Sequence, residues 1–161
     1  MKPFGEAEVR EFLTARGLEP RIHTFAESTE NAFLAAQALD VQLGQIVKSI
    51  VFLADSEALL VLMSGDMNVH TTKLKKLLRA RKIKIADPET VLRVTGYPVG
   101  AVPPFAHRQT IPAYLDESLQ RYSDIYPAAG GVNNMFGTTF EELLKLTKAQ
   151  IISVAKPKKT E

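Results

Sequence analysis

A single lysine interrupts a strongly apolar stretch of the sequence. Residues 46–53 are almost all β-branched or otherwise apolar, which predicts a buried β-strand that contains Lys48. Strand alternation places Lys48 on one face with apolar residues such as Ile46 and Ile50. An ammonium group is costly to bury unless it has a partner or a function. Two interpretations follow: the side chain reaches water from the end of the strand, or it is a fixed cation at a cavity wall that holds a phosphate or a developing oxyanion.

A proline-rich loop is the second candidate for chemistry. Residues 97–108 contain three prolines and one glycine, so they do not continue the helix predicted before them. The prolines stiffen the backbone, and Gly100 allows another group to approach closely. The backbone N–H groups of Gly100 and Ala101 could then polarise the carbonyl of an ester. The same spacing also suits a plain rigid connection.

Residues 67–86 form a strongly basic segment, with seven lysines and arginines and no acidic residue. On the helix predicted here, these charges lie away from the leucine face. Such a face is either simply solvated or a contact for the phosphate backbone of a nucleic acid. The candidate RNA contacts are Lys73, Lys75, Lys76 and Arg79.

Four small residues, 128–131, follow a predicted strand. They suit a tight turn around Gly130 and Gly131. They could equally form the wall of a small pocket, with Ala129 and Gly130 against a ligand.

Five helices are predicted around these segments from apolar periodicity and capping signals. Phe33 in the second and Leu77 in the third are expected to face the core. The helices are an N-terminal one that ends near Gly17, one capped by Ser28, one from Thr71 or Thr72 to about Arg79, one that starts at Asp87-Pro88-Glu89, and one from Thr138 to Leu146.

Short apolar runs predict strands between the helices. These runs are residues 21–25, 46–53, 58–63, 82–86, 110–115, 123–126 and 151–154. Helices and strands mix without a regular repeat, and no linker is visible. A chain of 161 residues suits a single core. We therefore predict one α/β domain built on a mixed, strongly curved sheet.

Composition excludes several classes of protein. The chain has no cysteine, which excludes disulfides, thiolate metal sites and a cysteine nucleophile. No apolar run approaches the roughly 20 residues that span a bilayer. The first ten residues contain acidic side chains and no apolar stretch, unlike a signal peptide. We expect a cytoplasmic protein.

Motifs for other common chemistries are absent from the sequence. No glycine pair has dinucleotide-binding or P-loop spacing, and there is no Gly-x-Ser-x-Gly nucleophile elbow. His23, His70 and His107 are far apart, and none lies in a His-Glu-x-x-His motif. We expect neither a cofactor nor a metal site.

The order and spacing of these segments resemble the YbaK/prolyl-tRNA-synthetase-associated editing domains over about residues 5–155. The lysine strand and the Thr-Gly-Tyr-x-Val-Gly-x-x-x-Pro loop are together specific for this resemblance. The matching segments are His23-Thr24-Phe25, Gln45-Ile46-Val47-Lys48-Ser49, Ala86-Asp87-Pro88-Glu89, Thr95-Gly96-Tyr97-Pro98-Val99-Gly100, Pro104-Phe105, Leu115-Asp116, Ile125-Tyr126 and Ala129-Gly130.

The resemblance implies a compact α/β domain with a curved, barrel-like mixed sheet and surrounding helices. It places the editing domain at residues 1–155 and a polar tail at 156–161. Such domains deacylate transfer RNA that carries the wrong amino acid, commonly alanine or cysteine on the proline acceptor. They act alone in trans or as insertions in prolyl-tRNA synthetases. The implied partners are mischarged tRNA and, as a second candidate, prolyl-tRNA synthetase; neither a membrane nor DNA is expected.

The resemblance also implies site residues. The family lysine falls on Lys48 and the glycine-proline loop on Gly100 to Pro104, so Lys48, Gly100 and Ala101 are the predicted catalytic residues. Ala128 stands where some cysteine-specific members have serine, and it lacks the hydroxyl that such specificity uses. The predicted substrate contacts are Phe25, Ser49, Val102, Pro103, Pro104, Ala129 and Gly130.

The expected reaction is hydrolysis of the aminoacyl ester without a covalent intermediate. Water or a group of the substrate attacks the carbonyl, and backbone N–H groups stabilise the oxyanion. Lys48 either anchors the terminal adenosine or polarises the attacking water. The alternatives are a non-catalytic module of the same fold that binds tRNA or a synthetase, and a small-molecule binding domain with no RNA role.

Overall fold

The most apolar part of the chain forms a central hairpin in the computed structural model, which describes residues 2–158. Strands β2 (Ile46–Ala54) and β3 (Glu57–Ser64) pair antiparallel from Val47↔Ser64 to Ala54↔Glu57. The turn between them places Asp55 and Ser56 at positive φ. The predicted strands 46–53 and 58–63 and their short connection are confirmed.

Within the described part of the chain, five α-helices and eight further strands accompany the hairpin. The helices are α1 (Glu6–Ala15), α2 (Ala32–Leu39), α3 (Thr71–Leu78), α4 (Pro88–Thr95) and α5 (Phe140–Thr147). The strands are β1 (Ile22–Thr24), β4 (Met67–Val69), β5 (Ile83–Ile85), β6 (Ala113–Asp116), β7 (Tyr126–Pro127), β8 (Asn134–Phe136), β9 (Gln150–Ile152) and β10 (Ala155–Pro157).

The hairpin is the centre of a six-stranded mixed sheet. The strand order is β5-β2-β3-β6-β9, and β7 pairs with β2. The β5–β2 and β2–β3 pairs are antiparallel, whereas the β3–β6, β6–β9 and β2–β7 pairs are parallel. Separate antiparallel pairs join β1 to β8 and β4 to β10. The prediction of a mixed α/β domain is confirmed. No strand pairing within residues 2–158 closes the sheet into a barrel, so the predicted barrel-like form is not confirmed.

Both faces of the hairpin are buried. Leu60 and Leu62 pack on one face with residues of α4, α5 and the 97–102 loop. Val61 and Met63 pack on the other face with α3 and the C-terminal strands. Full burial of one such side chain stabilises the fold by about 1.5–3 kcal/mol. The hairpin is therefore a rigid support for whatever β2 carries.

Most helices begin and end where the neighbouring residues provide a cap. The Asp87 side chain accepts a hydrogen bond from the Thr90 N–H at 2.7 Å, and α4 ends at Gly96, where φ is 90°. Asn31 and His70, rather than the predicted Ser28 and Thr71 or Thr72, cap α2 and α3. The bounds of α2 and α3 still lie close to the predicted ones.

Two predicted core residues are exposed. Phe33 of α2 is 63% exposed and Leu77 of α3 is 46% exposed, so their expected inward orientation is wrong. Each helix has only two turns and buries a narrow stripe, Ala32, Ala35 and Ala36 in α2 and Leu74 in α3. A stripe this narrow leaves neighbouring apolar residues in solvent.

The C-terminal segment takes part in the fold. Strand β10 pairs with β4, with Lys156 opposite Asn68 and Pro157 opposite Met67. The predicted boundary at residue 155 therefore falls inside a strand. Residues 159–161 of the predicted polar tail lie outside the described residues. Strand β4 and strand β8 were also not predicted, because runs of three residues carry too little periodicity.

Candidate functional site

A cavity opens where one edge of β2 lacks a neighbour. Strand β7 covers residues 46–47 of this edge and β5 covers residues 52–54. Within residues 2–158, no strand pairs with residues 48–50 on this side. A cavity of about 330 Å³ lies at this gap, and residues 46–50 form one of its walls. The rest of the lining comes from residues 29–32, the loop around Gly100, Ala128, Met135 and Lys158.

Lys48 is held at the wall of this cavity. Its ammonium donates hydrogen bonds to the backbone oxygen of Met67 and, at 3.5 Å, to Oδ1 of Asn68, both on β4. Desolvation lowers the pKa of Lys48 to about 8; the positive charge of Lys158 acts in the same direction and the Asp66 carboxylate opposes it. The side chain is thus docked on the neighbouring strand, as a fixed cation at a cavity wall requires.

A polar network holds the turn that leads into β4. Nη2 of Arg121 lies 2.7 Å from Oδ1 of Asp66 and donates to Oγ of Ser64 at 2.8 Å. Ser64 is fully buried, and its Oγ also bonds to the backbone oxygen of Gly44, just before β2. The hydrogen bond from Arg121 lowers the pKa of Asp66, which keeps the carboxylate ionised. This network fixes the backbone on which Lys48 is docked.

Gly100 forms a tight turn in the loop that lines another part of the cavity. The Ala101 N–H donates to the backbone oxygen of Pro98 at 3.0 Å, and Gly100 has a φ of 90°, which is the arrangement of a type II turn. A Cβ atom on Gly100 would lie 2.8 Å from the Cβ of Glu30. Glycine is therefore required both by φ and by the close approach of the segment before α2.

Side chains within the loop stiffen it. Oη of Tyr97 donates to the backbone oxygen of Ala106 at 2.9 Å, and Nε2 of His107 lies 2.7 Å from the backbone oxygen of Pro103. Burial raises the pKa of Tyr97 and lowers that of His107, so both rings are neutral at neutral pH. These bonds brace the loop behind the cavity.

Ser49 carries an unsatisfied polar group at the gap. Its Oγ is buried and has no hydrogen-bond partner within the described residues. A buried hydroxyl without a partner is costly in an apolar environment. Because Ser49 lines the cavity, a bound ligand is a natural partner for it.

Residues 26–146, more than half of the chain, match the family described as the aminoacyl-tRNA editing domain. This chain belongs to the aminoacyl-tRNA editing domain family. The match includes the lysine strand, the Gly100 turn and Ala128, all of which line the cavity.

Individual relatives agree with this assignment. The editing domain is 37% identical to the crystal structure of a proposed trans-editing enzyme for prolyl tRNA synthetase, with a TM-score of 0.88 over 94% of this chain and 96% of that one. It is 29% identical to the uncharacterized protein YwhH of Bacillus subtilis (strain 168), over 89% of this chain and 91% of that protein. It is 38% identical over 95 residues to the proline--tRNA ligase of Desulfovibrio desulfuricans (strain ATCC 27774 / DSM 6949 / MB), but this match covers 59% of the chain and only 16% of the ligase.

The structure brings four of the predicted site residues of this editing domain to the cavity. Lys48, Ser49, Gly100 and Val102 line it. Ala101 is fully buried and its N–H is used in the turn, which removes it from the predicted oxyanion donors. The central residues of such a turn, Gly100 among them, keep their N–H groups outside the turn hydrogen bond.

The other predicted substrate contacts lie behind the cavity walls. Ala129 is fully buried against α1, and Gly130 packs on the backbone of Gly5. Pro103 and Pro104 are buried in the braced loop. Phe25 packs behind the wall, with Ala32, Ile46, Ala128 and Met135. These residues shape the cavity from outside rather than lining it.

Sequence reasoning missed several lining residues. Glu30 and Asn31 lie at the start of α2, and only their position in a helix start could have indicated them. Lys158 reaches the cavity because β10 pairs with β4, and this long-range pairing leaves no local signal.

The predicted RNA contacts lie outside the cavity. Lys73, Lys75, Lys76 and Arg79 are all exposed on or at the end of α3. Helix α3 begins directly after β4, the strand on which Lys48 is docked. The contact of these residues with RNA stays a prediction.

Residues 2–158 contain neither a cluster of metal-binding side chains nor a helix that could cross a membrane. No group of three or more histidine, aspartate or glutamate side chains there could hold a metal ion. Over the same residues, no helix combines the length and the apolar character needed to cross a membrane.

Proposed function

We propose that this chain is an aminoacyl-tRNA deacylase that acts in trans and hydrolyses the ester of mischarged tRNA. The proposed substrate is tRNA-Pro that carries a small wrong amino acid such as alanine or cysteine. Membership of the editing-domain family supports the reaction class. Similarity over nearly the full chain to a proposed trans-editing enzyme for prolyl tRNA synthetase supports action in trans and the choice of tRNA.

The observation that carries this proposal is that Lys48 and the Gly100 turn line the same cavity. An ester carbonyl between them would meet the Gly100 N–H, which can stabilise the developing oxyanion. Lys48 would then either anchor the phosphate or ribose of the terminal adenosine, or polarise the attacking water. The chain has no cysteine, so direct attack by water or by a hydroxyl of the substrate is the simplest route.

The size of the cavity supports a small amino acid. A volume of about 330 Å³ lies near the lower end of ligand sites, which span about 300–1,000 Å³. Ile46 and Met135 line this volume, which the terminal ribose would share with the amino acid, so we expect a small side chain to fit better than a phenylalanyl one. Ala128 offers no hydroxyl to a cysteine side chain, which favours alanine over cysteine.

The direct test is incubation of the chain with a panel of mischarged tRNAs and measurement of amino acid loss. We expect alanyl-tRNA-Pro to be hydrolysed well above its spontaneous rate, and phenylalanyl esters on the same RNA to be nearly stable. Comparable rates for the two esters would contradict the size argument. Absence of hydrolysis for the whole panel would overturn the proposed activity.

The second candidate is a non-catalytic module that binds tRNA or a prolyl-tRNA synthetase. One observation favours it: no histidine lies among the residues that line the cavity within 2–158, so a general base of the commonest kind is missing. Such a module would bind non-hydrolysable aminoacyl-adenosine analogues without turnover. Titration of the chain with prolyl-tRNA synthetase, with and without tRNA, would show whether the synthetase is a partner.

A further inference from the structure

The cavity contains charges of both signs that do not neutralise each other. Lys48 and Lys158 both line it, and the positive charge of Lys158 helps to lower the pKa of Lys48. Glu30 also lines the cavity and is the only carboxylate among its lining residues in the described part of the chain. No ion pair within residues 2–158 includes Glu30, so its carboxylate lies more than 4.0 Å from either ammonium.

Glu30 lies directly against the turn that is proposed to hold the ester. Its Cβ would be 2.8 Å, and its backbone oxygen 3.0 Å, from a Cβ built on Gly100. Its backbone is also held, because its N–H donates to Oγ of Ser28 at 3.2 Å and the neighbouring Thr29 N–H donates to the backbone oxygen of Val132. The backbone and Cβ of Glu30 are thus fixed beside Gly100, and its side chain starts at the cavity that both residues line.

An aminoacyl ester matches this distribution of charge. Its α-ammonium is one bond from the α-carbon, which is itself bonded to the carbonyl carbon, whereas its negative charge is on the phosphodiester beyond the ribose. With the carbonyl at Gly100 and the nucleotide towards Lys48 and Lys158, the α-ammonium lies on the side of Glu30. We propose that Glu30 binds the α-ammonium of the aminoacyl group and makes the site selective for esters with a free amine. This inference rests on the proposed function.

A purely structural role for Glu30 predicts something different. A carboxylate just before a helix stabilises it through the helix dipole. Loss of that effect would lower the melting temperature and would act equally on every substrate. Recognition of the α-ammonium instead changes the preference between two substrates, so the two roles are separable.

The test compares alanine and lactate esterified to the same tRNA, because lactate replaces the ammonium by a hydroxyl of similar size. Single-turnover rates are divided by the spontaneous hydrolysis rate of each ester in the same buffer. We expect Glu30→Gln to slow the alanyl ester about tenfold, since a charge-assisted hydrogen bond is lost. The lactyl ester should change less than twofold.

The matched control is Glu27→Gln, which removes an exposed carboxylate from the same segment but outside the cavity. It should leave both rates unchanged. An equal loss on both esters with Glu30→Gln, or no loss on the alanyl ester, overturns the inference. Thermal unfolding of both variants shows whether either change acts through stability.

Failure of the unaltered chain to hydrolyse any ester would overturn the proposed function but leave this inference open to a second measurement. Calorimetric binding of 3′-alanylamido-adenosine and 3′-lactylamido-adenosine then decides it. The unaltered chain should prefer the alanyl analogue about tenfold, and Glu30→Gln should abolish that preference. Equal binding of the two analogues by the unaltered chain would refute the role of Glu30.

Discussion

The two walls of the cavity are built in different ways. The β2 wall depends on bonds between residues far apart in the chain: Lys48 docks on Met67, and Arg121 holds Asp66. The loop wall depends on bonds between near neighbours, such as Ala101 with Pro98 and His107 with Pro103. The β2 wall positions the charged side chain of Lys48, and the bonds in the loop wall fix the backbone conformation around Gly100. Substitutions in the β2 wall should therefore change chemistry, whereas those in the loop wall should change shape and stability together.

The largest effect is expected at Lys48. Lys48→Ala should reduce single-turnover deacylation of mischarged tRNA by about 10²-fold or more, because a positioned electrostatic group is lost. Its free energy of unfolding should change by less than about 1 kcal/mol, since relief of desolvation offsets the lost hydrogen bonds. Lys48→Arg should not restore full activity, because the guanidinium has a different reach and geometry. A parental rate for Lys48→Ala would show that the residue is not catalytic.

Gly100→Val tests the loop wall. A β-branched residue is strained at a φ of 90°, and its Cβ would meet Glu30 at 2.8 Å. We expect deacylation to fall about tenfold or more and the unfolding free energy to fall by about 1–3 kcal/mol. Val99→Ala, at the adjacent turn position, serves as control, and an undiminished melting temperature for Gly100→Val would contradict the turn geometry.

Arg121→Gln tests the network behind Lys48. Loss of the ion pair with Asp66 should loosen the turn into β4 and misplace the ammonium of Lys48. We expect the deacylation rate to fall about fivefold at saturating tRNA, with little change in tRNA affinity. Arg93→Gln, an exposed arginine of α4 outside the network, should have no effect. If Arg121→Gln weakened binding and left the saturated rate intact, Arg121 would be an RNA contact instead of a positioning residue.

The exposed basic residues of α3 lie outside both walls of the cavity. Their replacement tests whether they affect only the affinity for tRNA. Replacement of Lys75, Lys76 and Arg79 by glutamine should weaken tRNA binding a few-fold and reduce its salt dependence. The single-turnover rate at saturating tRNA should stay the same, because none of the three lines the cavity. Filter-binding titrations at several salt concentrations measure both quantities. An unchanged salt slope would remove α3 from the interface.

The pH dependence tests which protonation state of Lys48 is active, and its effect near neutral pH is the smallest expected. If the ammonium is the active form, the rate divided by the spontaneous rate should be halved at about pH 8, where Lys48 loses its proton, and should fall further above it. If the neutral amine assists the attacking water, the ratio should rise over the same range. The Lys48→Arg variant keeps every other titrating group, including the α-ammonium of the substrate. Its rate ratio should therefore show no change with pH that comes from residue 48. A step that survives in Lys48→Arg would belong to another group.

The same pKa has a consequence for stability with a definite sign. Lys48 titrates at about 8 in the fold and at its ordinary 10.5 when unfolded, so between these values the unfolded chain binds the additional proton. Stability therefore rises with pH from about 8 to 10.5 relative to a Lys48→Met variant. Below pH 8 the full cost of the buried ammonium is present. Denaturant unfolding of both proteins at pH 7 and pH 10 measures this difference.

Expectations from sequence were best where the determining contacts are local. The cap at Asp87 and the end of α4 at Gly96 depend on a few adjacent residues, and the hairpin of β2 and β3 on two long apolar runs. They were poorest where short elements depend on distant partners. Phe33 was placed in the core and is exposed, because the packing of α2 and not its periodicity decides how wide a stripe is buried. Ala101 was taken as a donor, but its N–H is used within the turn.

The sequence by itself determined the class of the protein and the supporting hairpin, and it singled out Lys48 and Gly100, which both line the cavity. Each of these depends on residue type and near-neighbour spacing, which the linear chain displays. Only the tertiary structure decided that β7 and β5 leave a gap beside Lys48, that Lys158 enters through the β10–β4 pair, and that Glu30 lies against Gly100. Strands of two or three residues have no measurable periodicity, so their pairing is set by long-range packing. The site is formed at those pairings, and its composition could be known only from the fold.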